Sequence, residues 1–131
     1  MLKRALEDLD SEVNAYRKLS GMLDEQFQTA RQLDTASLAR VSDAIAREVS
    51  RLERGQRDLS QRLAAANAQV RRLPAARSRL AQLALEKRCA ELKRLATQCK
   101  ALTLRNGQLL ACQHDTMQRL LLGERHTYAP G

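Results

Sequence analysis

The chain of 131 residues has few of the residues that build β-sheets and turns. It contains no tryptophan, two tyrosines, one phenylalanine, two prolines and five glycines. β-Sandwiches and barrels need aromatic and β-branched side chains and many turns, so both classes are excluded. No apolar run approaches the roughly 18 residues of a membrane span, and the mixed-charge N-terminus has no apolar stretch typical of a secretory signal.

Residues suited to catalysis or metal binding are also scarce. The cysteines Cys89, Cys99 and Cys112 are odd in number and widely spaced. This pattern fits neither a disulfide framework nor a zinc site, and predicts reduced thiols in the cytoplasm. Neither histidine, His114 or His126, lies three or four residues from a cysteine. Since phosphate-binding and catalytic motifs are missing as well, we expect no metal, no cofactor and no enzymatic activity.

Leucine, alanine, arginine and glutamine are the abundant residues, with 23, 20, 18 and 11 copies, a composition typical of long helices. The net charge of +8 is distributed unevenly. Residues 1–36 carry 5 basic and 7 acidic side chains, residues 37–73 carry 8 and 4, and residues 74–131 carry 10 and 4. Such a balance suits an anionic partner, but it also arises when an acidic helix packs against basic ones.

The first segment has the heptad repeat of a coiled coil and predicts a helix over about residues 2–32. Its apolar positions, separated by steps of three, four and seven residues, are Leu2, Leu6, Leu9, Val13, Tyr16, Leu23, Phe27 and Ala30. In the short joint that follows, Asp34 or Thr35 can cap the next helix. With Asp34 as the N-cap, Leu33 and Leu38 occupy the two positions of a hydrophobic staple. The second helix is therefore expected to fold back on the first.

Two further helices are predicted on either side of Pro74, which disrupts a helix interior and suits the first position of a new helix. The apolar stripe of the second helix, over about residues 36–73, is Leu38, Val41, Ile45, Val49, Leu52, Leu59, Leu63, Val70 and Leu73. The seam of the third, from residue 75 to about 122, is Leu80, Leu85, Leu92, Leu95, Cys99, Leu102, Asn106, Leu109, Gln113, Met117 and Leu120. Short joints predict an all-α, antiparallel up-down-up bundle of three long, coiled-coil-like helices.

The third segment is too long for its partners. At 1.5 Å per residue it spans about 72 Å, against about 45 Å for the first helix, so it must overhang, bend or break. Asn106-Gly107 is the expected breakpoint, because both residues tolerate left-handed geometry. A break there divides the chain into a bundle over residues 1–106 with its third helix over 75–105, an amphipathic helical segment over 107–122 and a flexible tail over 123–131.

The segment beyond residue 106 has an apolar face with no fourth helix to cover it. Such a face is expected to bind an amphipathic helix of another protein. The candidate binding residues for such a partner are Leu109, Leu110, Met117, Leu120 and Leu121. Asn106 and Gly107 would act as a hinge that lets the segment swing onto the partner. Asn106 has a second interpretation, since a buried polar residue in a seam also sets helix register.

The C-terminal third contains two distinctive stretches, Leu102-Thr103-Leu104-Arg105-Asn106-Gly107-Gln108-Leu109-Leu110 and Thr127-Tyr128-Ala129-Pro130-Gly131. Together they resemble the FlgN family of flagellar type III export chaperones. That family has an Asn-(Gly)-x-Leu-Leu element late in a long helix, followed by a tyrosine-containing tail motif. The tail departs from the family pattern, because Ala129 stands where glycine is usual and the aspartate is missing.

The resemblance implies a small cytoplasmic chaperone. Its clients would be the hook-associated proteins that join the flagellar hook to the filament. It would bind a helical C-terminal segment of each client and bring the client to the export gate. Tyr128 would dock on the cytoplasmic domain of that gate.

Two alternatives remain open. One is a coiled-coil stalk or ATPase-associated factor of a type III export apparatus. The other is a basic nucleic-acid-binding coiled coil, which is less expected: the clusters Arg71-Arg72 and Arg77-Ser78-Arg79 are too short for a zipper-type basic region, and the chain has no aromatic stacking platform. Heptads also drive self-association, so the sequence leaves the oligomeric state open.

Overall fold

The computed structural model describes the backbone of residues 2–128 and the side-chain environment of residues 2–123. Three long α-helices account for nearly all of these residues: α1 is Leu2–Arg31, α2 is Thr35–Val70 and α3 is Ala75–Tyr128. The described backbone contains no strand, and none of its helices is long and apolar enough to cross a membrane. The predicted all-α, up-down-up three-helix bundle is confirmed.

The first helix, α1, is the element on which the other two pack. Both α2 and α3 lie along α1, whereas α2 and α3 scarcely touch each other. One cluster of the core joins Leu9 of α1 to Val70, Ala81 and Leu85 near the α2–α3 turn. The second cluster, nearer the α1–α2 turn, consists of Ala15, Leu19, Leu23, Leu52 and Cys99. Burial of this heptad seam is the main force that holds the bundle together.

The register between α1 and α3 is parallel and repeats every seven residues. Three side chains on α3 donate hydrogen bonds to backbone carbonyls on α1: Cys99 Sγ to Tyr16 O at 3.4 Å, Asn106 Nδ2 to Leu23 O at 2.7 Å, and Gln113 Nε2 to Ala30 O at 2.8 Å. Gln113 therefore lies level with the last turn of α1. From there α3 continues for about 22 Å at 1.5 Å per residue, so the long third helix extends beyond its partners. We call residues 114–128 of α3 the overhang.

The break predicted at Asn106-Gly107 is wrong, because α3 is one continuous helix through both residues. Asn106 is only 3% exposed and is bonded to α1. Tertiary contacts before and after the glycine outweigh the cost of about 1 kcal/mol that glycine carries in a helix. The helix also continues to Tyr128, beyond the residue where the tail was expected to begin, and residues 129–131 lie outside the described residues.

One predicted seam position is also wrong. Leu80 is 69% exposed, and its neighbour Ala81 lies in the core instead, at 7% exposure. A shift of one residue rotates a helix by about 100°, since an α-helix has 3.6 residues per turn. The packing of Ala81 and Leu85 against Leu9 of α1 therefore sets the phase of α3, and Leu80 and Leu83 face away from the bundle.

Candidate functional site

The first helix ends in a left-handed turn at Leu33. The N–H of Leu33 donates to Ala30 O at 3.2 Å, and the N–H of Asp34 donates to Thr29 O at 3.1 Å, the hydrogen-bond pair of a Schellman motif. Glycine is usual at the left-handed position, because a side chain there costs about 1–2 kcal/mol. Leu33 instead has a φ of 57° and leaves its side chain 73% exposed. The backbone is thus strained at Leu33, and the same residue exposes its apolar side chain to solvent.

Asp34 directs the chain into α2. Its carboxylate accepts a hydrogen bond of 3.2 Å from the N–H of Ser37, which makes Asp34 the N-cap. Of the two predicted caps, Asp34 and Thr35, the structure thus selects Asp34. Hydrogen bonding by the side chain and backbone of Ser37 lowers the pKa of the Asp34 carboxyl.

An apolar groove of about 530 Å³ lies between this turn and the overhanging part of α3. We call it the tip groove. Leu33 and Leu38, the two residues of the predicted staple, line it from the side of α1 and α2. Gln113, Met117 and Leu120 line it from α3. The groove is thus built where three helices meet and where α3 leaves the bundle.

The five predicted client-binding residues fall into two groups. Leu109 and Leu110 are half-buried. Met117, Leu120 and Leu121 are 64%, 62% and 57% exposed, and the first two line the tip groove. Only the second group is therefore available to a large partner surface.

Exposed apolar side chains are concentrated at this end of the molecule. Among the described residues, eight large hydrophobic side chains are exposed, and five of them lie at the α1–α2 turn or on the overhang: Leu33, Met117, Leu120, Leu121 and Leu122. Scattered exposed leucines need no explanation, but a group of them at one end of a molecule is a candidate interaction surface. Leu33 and Leu38 line the tip groove and were not predicted as binding residues. The sequence signal at Leu33 is a leucine directly before a helix cap, a pattern that predicts a hydrophobic staple.

A polar network beneath the tip groove ties the three helices together. Asn106 Nδ2 donates to Gln26 Oε1 at 2.8 Å, and Gln26 Nε2 donates to Ser42 Oγ at 3.0 Å. Arg105 Nε donates to Asn106 Oδ1 at 3.1 Å, and its guanidinium lies 3.9 Å from the centre of the Phe27 ring. Within the described part of the chain no buried side-chain polar atom lacks a hydrogen-bond partner. Asn106, one of the two predicted hinge residues, is therefore an anchor of α3 in this structure.

Side chains that could bind a metal ion do not cluster among the described residues. No group of three or more His, Cys, Asp or Glu side chains lies close enough to hold a metal ion, as far as the described residues show. Burial raises the pKa of the Cys89 and Cys99 thiols, which disfavours the thiolate form that a nucleophile needs. The tip groove is therefore the candidate site, and it is suited to binding.

Tyr128, the predicted gate-docking residue, is the last residue of α3, and its side chain lies outside the described residues. Comparisons of the chain with protein-family models, with curated proteins and with solved structures gave no match. The tip groove is thus the feature of the described structure that supports a functional proposal.

Proposed function

We propose that this protein is a flagellar export chaperone that binds the C-terminal helical segments of hook-associated proteins and delivers them to the type III export gate. The observation that supports the binding step is the tip groove beside an overhanging helix with exposed apolar side chains. The FlgN-like motif over residues 102–131 supports the class of client and the destination.

The overhang has the spacing that helix-in-groove recognition requires. Met117, Leu120 and Leu121 occupy positions i, i+3 and i+4 of α3 and lie on adjoining parts of its surface. The overhang of about 22 Å corresponds to four helical turns, enough for an amphipathic client helix to lie alongside. Leu33 would contact such a helix from the opposite wall of the tip groove. Met117 adds an adaptable side chain, which suits more than one client.

The binding surface suits reversible capture. Full burial of a leucine or methionine side chain contributes about 1.5–3 kcal/mol, and the groove side chains are already partly covered. Association itself costs about 4–15 kcal/mol in lost freedom of movement. The net free energy of binding is then small, and the modest affinity that results allows the client to be released for export.

A direct test measures the binding of labelled peptides, taken from the C-terminal segments of hook-associated proteins of the same organism, by fluorescence anisotropy. We expect Met117→Glu and Leu120→Glu each to weaken binding at least about tenfold, as loss of an interface anchor does. Leu80→Glu is the matched control, because Leu80 is a leucine on the same helix, 69% exposed, outside the tip groove. Equal affinities for all four proteins would refute the binding site.

A second test separates the chaperone from a stalk or ATPase-associated factor. A chain that ends after Gln113 keeps the three hydrogen bonds from α3 side chains to the α1 backbone and loses the overhang. A chaperone should lose its client peptides in this form, whereas a stalk protein should keep its contact with the export ATPase. Client binding through leucine and methionine should change little with salt, while a nucleic-acid complex should weaken steeply as salt rises.

The proposed docking of Tyr128 on the export gate requires a separate test. Tyr128→Ala should leave the affinity for client peptides unchanged and should reduce the binding of purified gate cytoplasmic domain. Tyr16→Phe is a suitable control, since Tyr16 is half-buried within the bundle. Loss of client affinity in Tyr128→Ala would contradict a docking role confined to the gate.

A further inference from the structure

The end of the bundle opposite the tip groove, where α2 turns into α3, carries a dense group of cations. Leu2 and Leu6 of α1 pack there against the cluster that contains Val70 and Ala81, which brings the start of α1 to the same end. We define the basic end by its six cations: Lys3, Arg4, Arg71, Arg72, Arg77 and Arg79. All six are exposed.

None of the six cations forms an ion pair with another described residue. Eight other lysines and arginines do: Arg17, Lys18, Arg47, Arg51, Arg62, Arg88, Arg94 and Arg105. Asp8, an acidic residue near the start of α1, already forms an ion pair with Arg62 at 3.1 Å. Glu7 is then the acidic residue of α1 that remains close in sequence to Lys3 and Arg4. The sequence has no acid between Asp58 and Glu86. The positive potential of the basic end is therefore largely unneutralised.

An apolar stripe lies beside these cations. Leu80 and Leu83 are 69% and 53% exposed and are three residues apart on α3, so they share one face of the helix. Arg79 directly precedes Leu80 in the sequence, and Lys87 lies about one helical turn after Leu83 on the same side of α3. The core residues Ala81 and Leu85 face the bundle instead. Arg79, Leu80 and Leu83 thus lie on the part of α3 that faces away from the core.

We propose that the basic end is a docking surface for an acidic, amphipathic helix of a partner protein. Five of the six cations are arginines, which bind carboxylates with two hydrogen bonds and are enriched at protein interfaces, where lysine is depleted. Leu80 and Leu83 require apolar anchors at helical spacing on the partner. A helix with glutamates flanking a leucine stripe supplies both kinds of contact.

Other anionic partners fit the surface less well. A nucleic acid offers phosphates to the arginines but no counterpart for the two leucines, and no described aromatic side chain lies at this end to stack on bases. A bilayer would engage the cations, but helices that lie in a membrane interface use a wide apolar face with Trp or Phe. The apolar stripe at the basic end has two leucines and neither of these aromatic residues. The basic end is remote from the tip groove, so this proposal is independent of client binding.

The test uses the full chain and a labelled three-heptad peptide with leucine at the two core positions and glutamate elsewhere. Anisotropy should show binding that Arg77→Glu/Arg79→Glu weakens at least about tenfold and Leu80→Gln/Leu83→Gln about fivefold. The matched charge control is Arg54→Glu/Arg57→Glu, which reverses two exposed α2 cations outside the basic end. This control should stay within about twofold of the wild type.

Several results would overturn the proposal. Equal binding of a scrambled peptide of the same composition would show that only net charge is sensed. Tighter binding of an RNA duplex or of phosphatidylserine vesicles than of the peptide would assign the surface to another class of partner. An equal loss in the control Arg54→Glu/Arg57→Glu would have the same effect. Should Arg77→Glu/Arg79→Glu fail to fold, as judged by circular dichroism, Arg71→Gln/Arg72→Gln supplies the same comparison.

Discussion

The side-chain amide of Asn106 on α3 donates a hydrogen bond of 2.7 Å to the backbone carbonyl of Leu23 on α1. The same amide nitrogen also donates a hydrogen bond to Gln26 Oε1, and the side-chain oxygen of Asn106 accepts one from Arg105 Nε. A buried amide with all its partners in place favours one register, because a shifted helix would leave it unpaired. This register determines where α3 passes the end of α1, and hence which residues project into the tip groove.

Asn106→Ala should lower the free energy of unfolding by about 2 kcal/mol, because it removes three hydrogen bonds and leaves buried polar groups unpaired. Urea denaturation followed by circular dichroism measures the change. Asn67→Ala is the control, since Asn67 is an exposed asparagine on α2 and should show little change or a slight gain. Equal stabilities of the two variants would contradict the anchoring role of Asn106.

Leu33→Gly should have opposite effects on stability and on binding. Glycine adopts the φ of 57° freely, so the variant should gain about 1 kcal/mol of unfolding free energy. The same change removes an apolar wall of the tip groove and should weaken client-peptide binding. Leu33→Ala keeps the strain and loses the wall, so it should weaken binding without the gain in stability. A Leu33→Gly variant that binds as well as the wild type would show that the strained leucine does not serve binding.

Asp34→Ala should lower the melting temperature at neutral pH, because α2 loses its N-cap. The pKa of Asp34 is lowered from its ordinary value of 3.8, so its contribution is complete above that value and is lost as pH falls below it. The difference between Asp34→Ala and wild type should therefore shrink in acid. Asp34→Asn keeps a capping oxygen without the charge and should remain close to the wild type at neutral pH. A difference that is constant from neutral pH to well below the ordinary pKa would contradict the charged cap.

Glu12→Gln should raise stability at neutral pH. Burial raises the pKa of Glu12 above its ordinary value of 4.5, Asp8 and Glu48 add to the rise, and Arg51 opposes it. The charged form is therefore disfavoured in the fold, and the wild type recovers stability as pH falls toward 4.5. The advantage of Glu12→Gln should disappear over that range in thermal melts. Glu53→Gln, at an exposed glutamate of α2, should show no such advantage.

Much of the fold could be predicted from local pattern. The heptad positions of α1, the cap at Asp34 and the turn at Pro74 all depend on residues close together in the chain, and helices respond mainly to such neighbours. The length of the third segment also predicted an overhang, a bend or a break, and overhang is the outcome. The exposure of Met117, Leu120 and Leu121 agrees with the prediction of an uncovered apolar face.

The sequence by itself thus determined the class of the fold, the order of its helices and the presence of an apolar surface near the C-terminus. Only the tertiary structure decided that Asn106-Gly107 remains helical, that Leu80 faces outward and that Leu33 joins Met117 in one groove. The physical reason is the same in each case. These outcomes depend on contacts between residues far apart in the chain: Asn106 is held by α1, the phase of α3 is set where it meets Leu9, and the groove forms where the α1–α2 turn passes α3.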